Sequence, residues 1–252
     1  MKNWPCGWNL NKKNMNILYK IYSFCIALPL FVVVTITTAL IIMTAALLGD
    51  KDQTDYFLSK LWSKFTCRVF LLGIHVEGKE RLSKKQSYVF LANHQGYFDI
   101  FLTYGYMGHN FKWMMKEYLR KIPFVGIACK LSGQIFVDDN RSGIQKAVKQ
   151  SRETLRGGMS MVIFPEGTRT YDGKMSEFKR GAFMLSNEIG LPIVPMTING
   201  SFKVFSRKAK SVSRGTLSLY IHEPIPAEEY QKKPTKVFMQ EVHDIIESKL
   251  VL

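Results

Sequence analysis

Residues 93–99 read NHQGYFD, which sets a histidine five positions before an aspartate with a glycine between them. An imidazole whose tautomer is fixed by a carboxylate can act as a general base. On a continuous helix five residues turn the chain through about 500°, leaving the two side chains roughly 140° apart and unable to meet. His94 and Asp99 can therefore interact only across a turn, and Gly96 permits one. The expected arrangement has His94 in a loop and Asp99 in the first turn of the next helix. There Asp99 accepts from one ring nitrogen and leaves the other as a base. No Ser or Cys nucleophile is signalled nearby, which suggests that the substrate brings its own hydroxyl group. With five His and eight Asp in 252 residues, roughly 0.16 such pairs arise by chance, so the rest of the chain must decide.

A second polar stretch, FPEGTRT at 164–170, has the composition of an anion site. Gly167 allows close backbone approach, Thr168 offers a hydroxyl, and Arg169 can grip a phosphate with two parallel hydrogen bonds and a charge that never titrates away.

These residues need elements to hold them. Runs rich in β-branched and aromatic residues predict strands at 70–76, 87–92, 134–137, 160–164, 193–198 and 216–221. A helix is predicted over 143–156, with Ile144, Ala147, Val148 and Leu155 on one face and Gly157-Gly158 ending it. Strands alternating with helices imply an α/β fold, a largely parallel mixed sheet covered by helices. SYVFLA runs into NHQGYFD and SMVIF runs into PEGTRT. Both motifs thus follow strand ends, where open α/β sheets bind ligands, and can face one cleft.

Ile21 to Gly49 contains no charge over 29 residues, more than the roughly 20 needed to cross a bilayer and too long for a signal-peptide apolar region. Residues 1–55 are read as an N-terminal membrane-inserted helical segment and 56–252 as the catalytic domain. Over 56–72 an apolar face (Phe57, Leu58, Leu61, Trp62, Phe65, Val69) runs beside a stripe of Lys60, Lys64 and Arg68. That pattern suits a helix at a headgroup surface or an ordinary core-facing helix. Lys12, Lys13 and Lys20 place the N-terminus in the cytoplasm. A straight 29-residue helix of about 44 Å exceeds a hydrocarbon core of about 30 Å. The expectation is a re-entrant pair of short helices within 21–49, with the catalytic domain on the cytoplasmic face. The formal charge of +15 attracts polyanions, an anionic membrane surface among them. Cysteines at 6, 25, 67 and 129 lack disulfide-framework or zinc spacing, which fits a reducing compartment.

NHQGYFD followed about 70 residues later by FPEGTR resembles the glycerolipid acyltransferases, the lysophosphatidic acid (1-acylglycerol-3-phosphate) acyltransferases, with their N-H-x-x-x-x-D and F-P-E-G-T-R blocks. The likeness covers roughly residues 70–225. It implies that His94 and Asp99 activate the glycerol hydroxyl to attack an acyl thioester, and that Glu166, Gly167, Thr168 and Arg169 bind the glycerol phosphate. KEYLRKIPFVG resembles the lysine-glutamate stretch before an I-P-x-x-G turn, making Lys116 a further phosphate ligand, and LPIVPMTING resembles the fourth block. The second block usually reads G-x-x-F-I-D-R; here GQIFVDDN puts Asp139 in the arginine's place, with Arg141 two positions on as a substitute. The resemblance also implies a membrane-dipping two-helix motif. It implies acyl-CoA or acyl carrier protein and lysophosphatidic acid as partners, with no metal or other cofactor.

Two other classes compete. The basic stretch SFKVFSRKAKSVSR (201–214), with Lys203, Arg207, Lys208, Lys210 and Arg214, could serve a membrane-tethered nucleic-acid-binding protein, yet no RNP, KH or helix-turn-helix signature accompanies it and no nucleic acid is expected. A contact with anionic lipid, coenzyme A or an acidic carrier is more economical. A thioesterase-like hydrolase would share the chemistry and use water as nucleophile.

Overall fold

The apolar N-terminal stretch forms a continuous helical rod. The computed structural model describes residues 12–50, 52–138 and 140–251, the side chains of residues 12–15 and 141 excepted. Helix α1 (Lys12–Tyr22) passes through a π-turn at Ser23–Ala27 into α2 (Leu28–Leu47). This corrects the expected re-entrant pair: no reversal occurs within 21–47, and the chain turns back only after Leu48 and Gly49, the latter at φ +98°. The physical reason is local. Pro29 falls in the first turn of α2 beside the π-turn, where a missing N–H is tolerated. Thr35 and Thr44 return their hydroxyls to the carbonyls of Phe31 and Leu40, four residues back.

Helix α3 (Gln53–Val69) runs back along this rod. Its buried positions are Asp55, Ser59, Ser63, Thr66 and Cys67, while Phe57 and Leu61 are exposed. That inverts the pattern of a helix on a water-soluble surface, since small polar residues face the protein and large apolar ones face out. The small side chains allow close packing on α4 (Asp99–Tyr106), where a Cβ on Gly105 would lie 3.3 Å from that of Ser63. Hydrogen bonds fasten the rod to α3: Tyr19 and Tyr22 donate to the carbonyls of Phe70 and Val69, and Trp62 donates to Thr35.

The sheet comprises β1 (Gly73–Glu77), β2 (Val89–Ala92), β3 (Phe111–Lys116), β4 (Ile135–Val137), β5 (Ser160–Ile163), β6 (Ile193–Asn199) and β7 (Thr216–Ile221). Their order is β1-β7-β6-β2-β5-β3-β4, parallel at every pairing except β6–β7. The largely parallel mixed sheet is therefore present. Six strands fall close to their predicted positions; β1 starts later than predicted because α3 extends to Val69. Strand β3, FKWMMK, was not predicted, since two lysines interrupt its apolar run.

Helices α5 (Val125–Leu131), α6 (Arg141–Thr154), α7 (Arg180–Ile189), α8 (Ser201–Phe205), α9 (Ala227–Tyr230) and α10 (Thr235–Glu247) complete the chain. Strand β2 shows the two-residue alternation that divides the core. Phe90 and Ala92 join a cluster with Cys67, Phe98, Leu102 and Trp113 on the α3–α4 side, whereas Val89 and Leu91 join one with Ala147, Phe183 and Val242 on the α6–α7–α10 side. Ala27 of the rod is fully buried in the first cluster. Cys25, Cys67 and Cys129 are free thiols; Cys6 lies outside the described residues.

Candidate active site

The strand ends position the polar residues. Immediately after β2, Asn93 exchanges two hydrogen bonds with the backbone of Ile198 on β6, which pins the start of the loop to the neighbouring strand. His94 follows, and the chain enters α4 at Asp99. Asp99 Oδ2 lies 2.6 Å from His94 Nδ1 and also accepts from the backbone N–H groups of Gln95 and Gly96. A carboxylate in that position fixes the proton on Nδ1, leaving Nε2 as the basic nitrogen. The ring is further held by stacking on Phe164, with centroids 3.9 Å apart and planes within 5°. Gly96 is needed for space: a Cβ there would come within 2.6 Å of the Ser201 carbonyl and 2.8 Å of that of Phe205.

The second motif leaves β5 in the same way. Gly167 adopts φ +71°, a left-handed conformation suited to glycine. Lys179 lies across it, within 2.9 Å of where a Cβ would stand. Arg169 stacks on Tyr97, guanidinium 3.6 Å from the ring centroid. Arg207 donates to Thr168 Oγ1 at 3.1 Å and covers the Tyr171 ring at 4.5 Å. Arg207 appeared in the sequence only as part of a basic loop; its approach to Thr168 across 39 residues depends on the fold. Lys179 was overlooked, although a Lys-Arg pair opening α7 was visible.

Glu166 is placed differently from its three neighbours. One carboxylate oxygen accepts from the backbone N–H of His94 at 2.7 Å and the other from that of Ser176 at 2.9 Å, with the side chain buried beneath the loops. Burial raises its carboxyl above the ordinary value, and the two backbone donors oppose that rise. Glu166 thus ties the two motifs together and, unlike Gly167, Thr168 and Arg169, is not among the residues that line the cavity described next. Arg141 opens α6, with its side chain outside those described, and Asp139 lies outside the described residues.

His94, Lys116, Gly167, Thr168, Arg169 and Lys179 line a cavity of about 820 Å³. Apolar Trp62, Ile100, Trp113, Leu119 and Val125 line the same cavity, and α2 contributes Thr35, Thr38, Ala39 and Ile42. Asp55, Ser59, Ser132 and Gln134 add polar groups to the lining. Asp55 accepts from Lys112 at 3.1 Å and from Gln134 at 3.0 Å, and Lys112 also reaches the Ser132 carbonyl and Asp52. This bonding explains how β3 carries a lysine that is only 1% exposed. Cationic groups beside a base, with apolar walls in the same cavity, suit an amphiphile with a phosphate and an alkyl chain.

A family profile described as Acyltransferase matches residues 73–199, just over half of the chain. The chain is 32% identical over 208 residues to a chloroplastic 1-acyl-sn-glycerol-3-phosphate acyltransferase of Arabidopsis thaliana, covering 80% of this chain and 58% of the relative. It is 34% identical to the 1-acyl-sn-glycerol-3-phosphate acyltransferase of Saccharomyces cerevisiae, covering 79% and 66%. With the protein of the same name from Helicobacter pylori it shares 30% identity, covering 71% and 80%. The chain thus spans less than two thirds of the plant and yeast proteins' length. The crystal structure of a 1-acyl-sn-glycerophosphate acyltransferase from Thermotoga maritima has the same fold, with a TM-score of 0.78 at 24% identity over 95% of this chain and 96% of that one. The matched region holds both polar motifs and strands β1 to β6, and by this match the chain belongs to the acyltransferase family.

Proposed function

We propose that the protein transfers an acyl group from a thioester, acyl-CoA or acyl carrier protein, to the free hydroxyl of 1-acylglycerol 3-phosphate, giving phosphatidic acid. The observation that carries this reading is the His94–Asp99 contact in a cavity lined by Lys116, Arg169 and Lys179 together with apolar side chains. His94 Nε2 takes the proton of the acceptor hydroxyl as its oxygen bonds to the thioester carbonyl carbon. The tetrahedral intermediate then collapses, the carbon–sulfur bond breaks, and the imidazolium returns the proton to the departing thiolate. Asp99 holds the ring in this tautomer and stabilises the imidazolium that forms. Arg169, Lys116 and Thr168 hold the phosphate, joined by Lys179 and Arg207. Arg207 supplies a guanidinium near the acceptor where the second block has Asp139 in its arginine's place. The apolar walls of the cavity take the acyl chain.

The helical hairpin seats the protein in a membrane. Asn16–Leu47 is long and apolar enough to cross one, yet it lies along α3 and α5 for most of its length. A helix bonded lengthwise to the catalytic domain suits insertion into one leaflet, with its outer face and Phe57 and Leu61 of α3 towards lipid. Because α3 returns antiparallel, Lys12 and the catalytic domain share a side, the cytoplasmic one. The test is purified protein in detergent with a panel of lysolipid acceptors and both donor types, products being identified by mass spectrometry. Phosphatidic acid formed from 1-acylglycerol 3-phosphate supports the reading; acylation of other lysolipids alone refutes it.

A further inference from the structure

Two outward apolar surfaces meet beside the cavity. One belongs to α2, where Val32, Val33, Leu40 and Ile41 are exposed. The other is the 3-10 turn Glu117–Lys121 with α5, where Tyr118, Ile122, Phe124 and Ile127 are 42–67% exposed. The two are continuous, because Ala128 of α5 packs on Ala39 and Ile42 of α2. Tyr118 and Ile122 also line the cavity, so this second surface forms part of its rim.

The backbone at Phe124 makes the exposure informative. Phe124 has φ +59° and ψ −57°, and the Val125 N–H donates to the Pro123 carbonyl at 2.6 Å. That is a γ-turn of the rare strained kind, at an aromatic residue that is 45% exposed. Gly126 locks the turn, since a Cβ there would meet the carbonyls of Arg120 and Leu119. Strain of this sort persists where its surroundings enforce it, and it concentrates at functional positions. Exposed Lys121 and Lys130 flank the apolar tip, the arrangement expected where a segment rests among anionic headgroups.

We propose that residues 117–131 form a second membrane-seated element, with Phe124 and Ile127 immersed in the leaflet that receives α2. Together with α2 they frame a lateral opening through which a single-chain lysolipid passes from that leaflet into the cavity. The inference rests on the membrane seating proposed above, but its primary readout requires no activity. A benzophenone amino acid is placed at position 124 or, as a control, at Val237 on α10, beyond the opposite face of the sheet. The protein is irradiated on vesicles of phosphatidylethanolamine and phosphatidylglycerol. Acyl-chain adducts at 124, with none above background at 237, are the expected result. Phe124→Asp and Ile127→Asp, at positions that do not line the cavity, should lower kcat/KM for vesicle-borne 1-acylglycerol 3-phosphate by about 10- to 100-fold. They should leave turnover of a short-chain, water-soluble lysophosphatidate unchanged. Equal labelling at 124 and 237, or equal slowing on both acceptors, would overturn the proposal. If the wild-type protein used neither acceptor, the acyl-transfer reading would fail, and the adducts at 124 would still decide this one.

Discussion

Asp99 Oδ2 receives His94 Nδ1 at 2.6 Å together with the backbone N–H groups of Gln95 and Gly96, so one buried oxygen fixes both the ring and the loop that carries it. Asp99→Asn leaves the shape intact but can turn an amide N–H towards the ring, reversing the tautomer. The expected outcome is a fall in kcat of about 10³- to 10⁴-fold with little change in thermal stability. Steady-state kinetics beside a melting curve check it; a comparable loss in both would assign Asp99 to folding alone.

Glu166 offers a second test, separable from the first. It accepts from the His94 and Ser176 backbones, and Glu166→Gln turns one acceptor oxygen into a donor facing an N–H. An unmade bond of this kind costs about 1–3 kcal/mol. The variant should remain folded and lose kcat with little change in the apparent affinity for acceptor. A selective rise in acceptor KM would place Glu166 against the phosphate after all.

Arg169→Ala, Lys116→Ala and Arg207→Ala should each weaken the phosphate-bearing acceptor by about 1.5–3 kcal/mol while leaving donor KM near the wild-type value. Initial rates with each substrate varied in turn distinguish the two. An Arg207→Ala enzyme with unchanged acceptor KM would confine that arginine to its contacts with Thr168 and Tyr171.

The cavity predicts a shift in chain-length preference. Ala128 is buried and lines the cavity, so Ala128→Leu should favour shorter acyl donors, at an overpacking cost of about 1–3 kcal/mol. Asp55→Ala takes one carboxylate from the buried Lys112 ammonium, which keeps Asp52 and the Ser132 carbonyl, and one acceptor from Gln134, and should destabilise the fold by about 1–3 kcal/mol. Competition between donors of different length, with denaturant melts, measures both.

His222 supplies a pH dependence remote from the site. Burial, aided by Arg81 and Lys249, lowers its pKa from 6.5 to about 4. Between those values the folded state holds fewer protons than the unfolded one, so stability is full above the unfolded value and is lost as pH falls towards the folded value. The loss should be on the order of 1–3 kcal/mol after allowance for solvent screening. His222→Gln should flatten the acid limb of a stability–pH curve.

Much of the site was legible because it follows short, fully buried strands: β2 and β5 appear as apolar runs ending abruptly in polar residues, and their parallel pairing brings both ends to one edge. What escaped depended on contacts distant in sequence. Strand β3 was hidden because Lys112 is tolerable in a core only when Asp55, 57 residues earlier, receives it. The tie that Glu166 makes between the two motifs escaped notice because its partners are backbone groups, which leave no trace in side-chain type. In the N-terminal segment, length against bilayer thickness suggested a reversal inside the apolar run. Lengthwise packing on α3 removed that constraint, and the reversal came after Gly49.

The most direct measurement is thiol release from acyl-CoA by the purified protein, with and without 1-acylglycerol 3-phosphate, for the wild type and His94→Ala. Release that requires the acceptor, yields phosphatidic acid in equal amount and falls by about 10²- to 10⁴-fold in His94→Ala is the predicted result. Release that proceeds equally without acceptor, or survives loss of His94, would contradict a transferase in which His94 activates the acceptor hydroxyl.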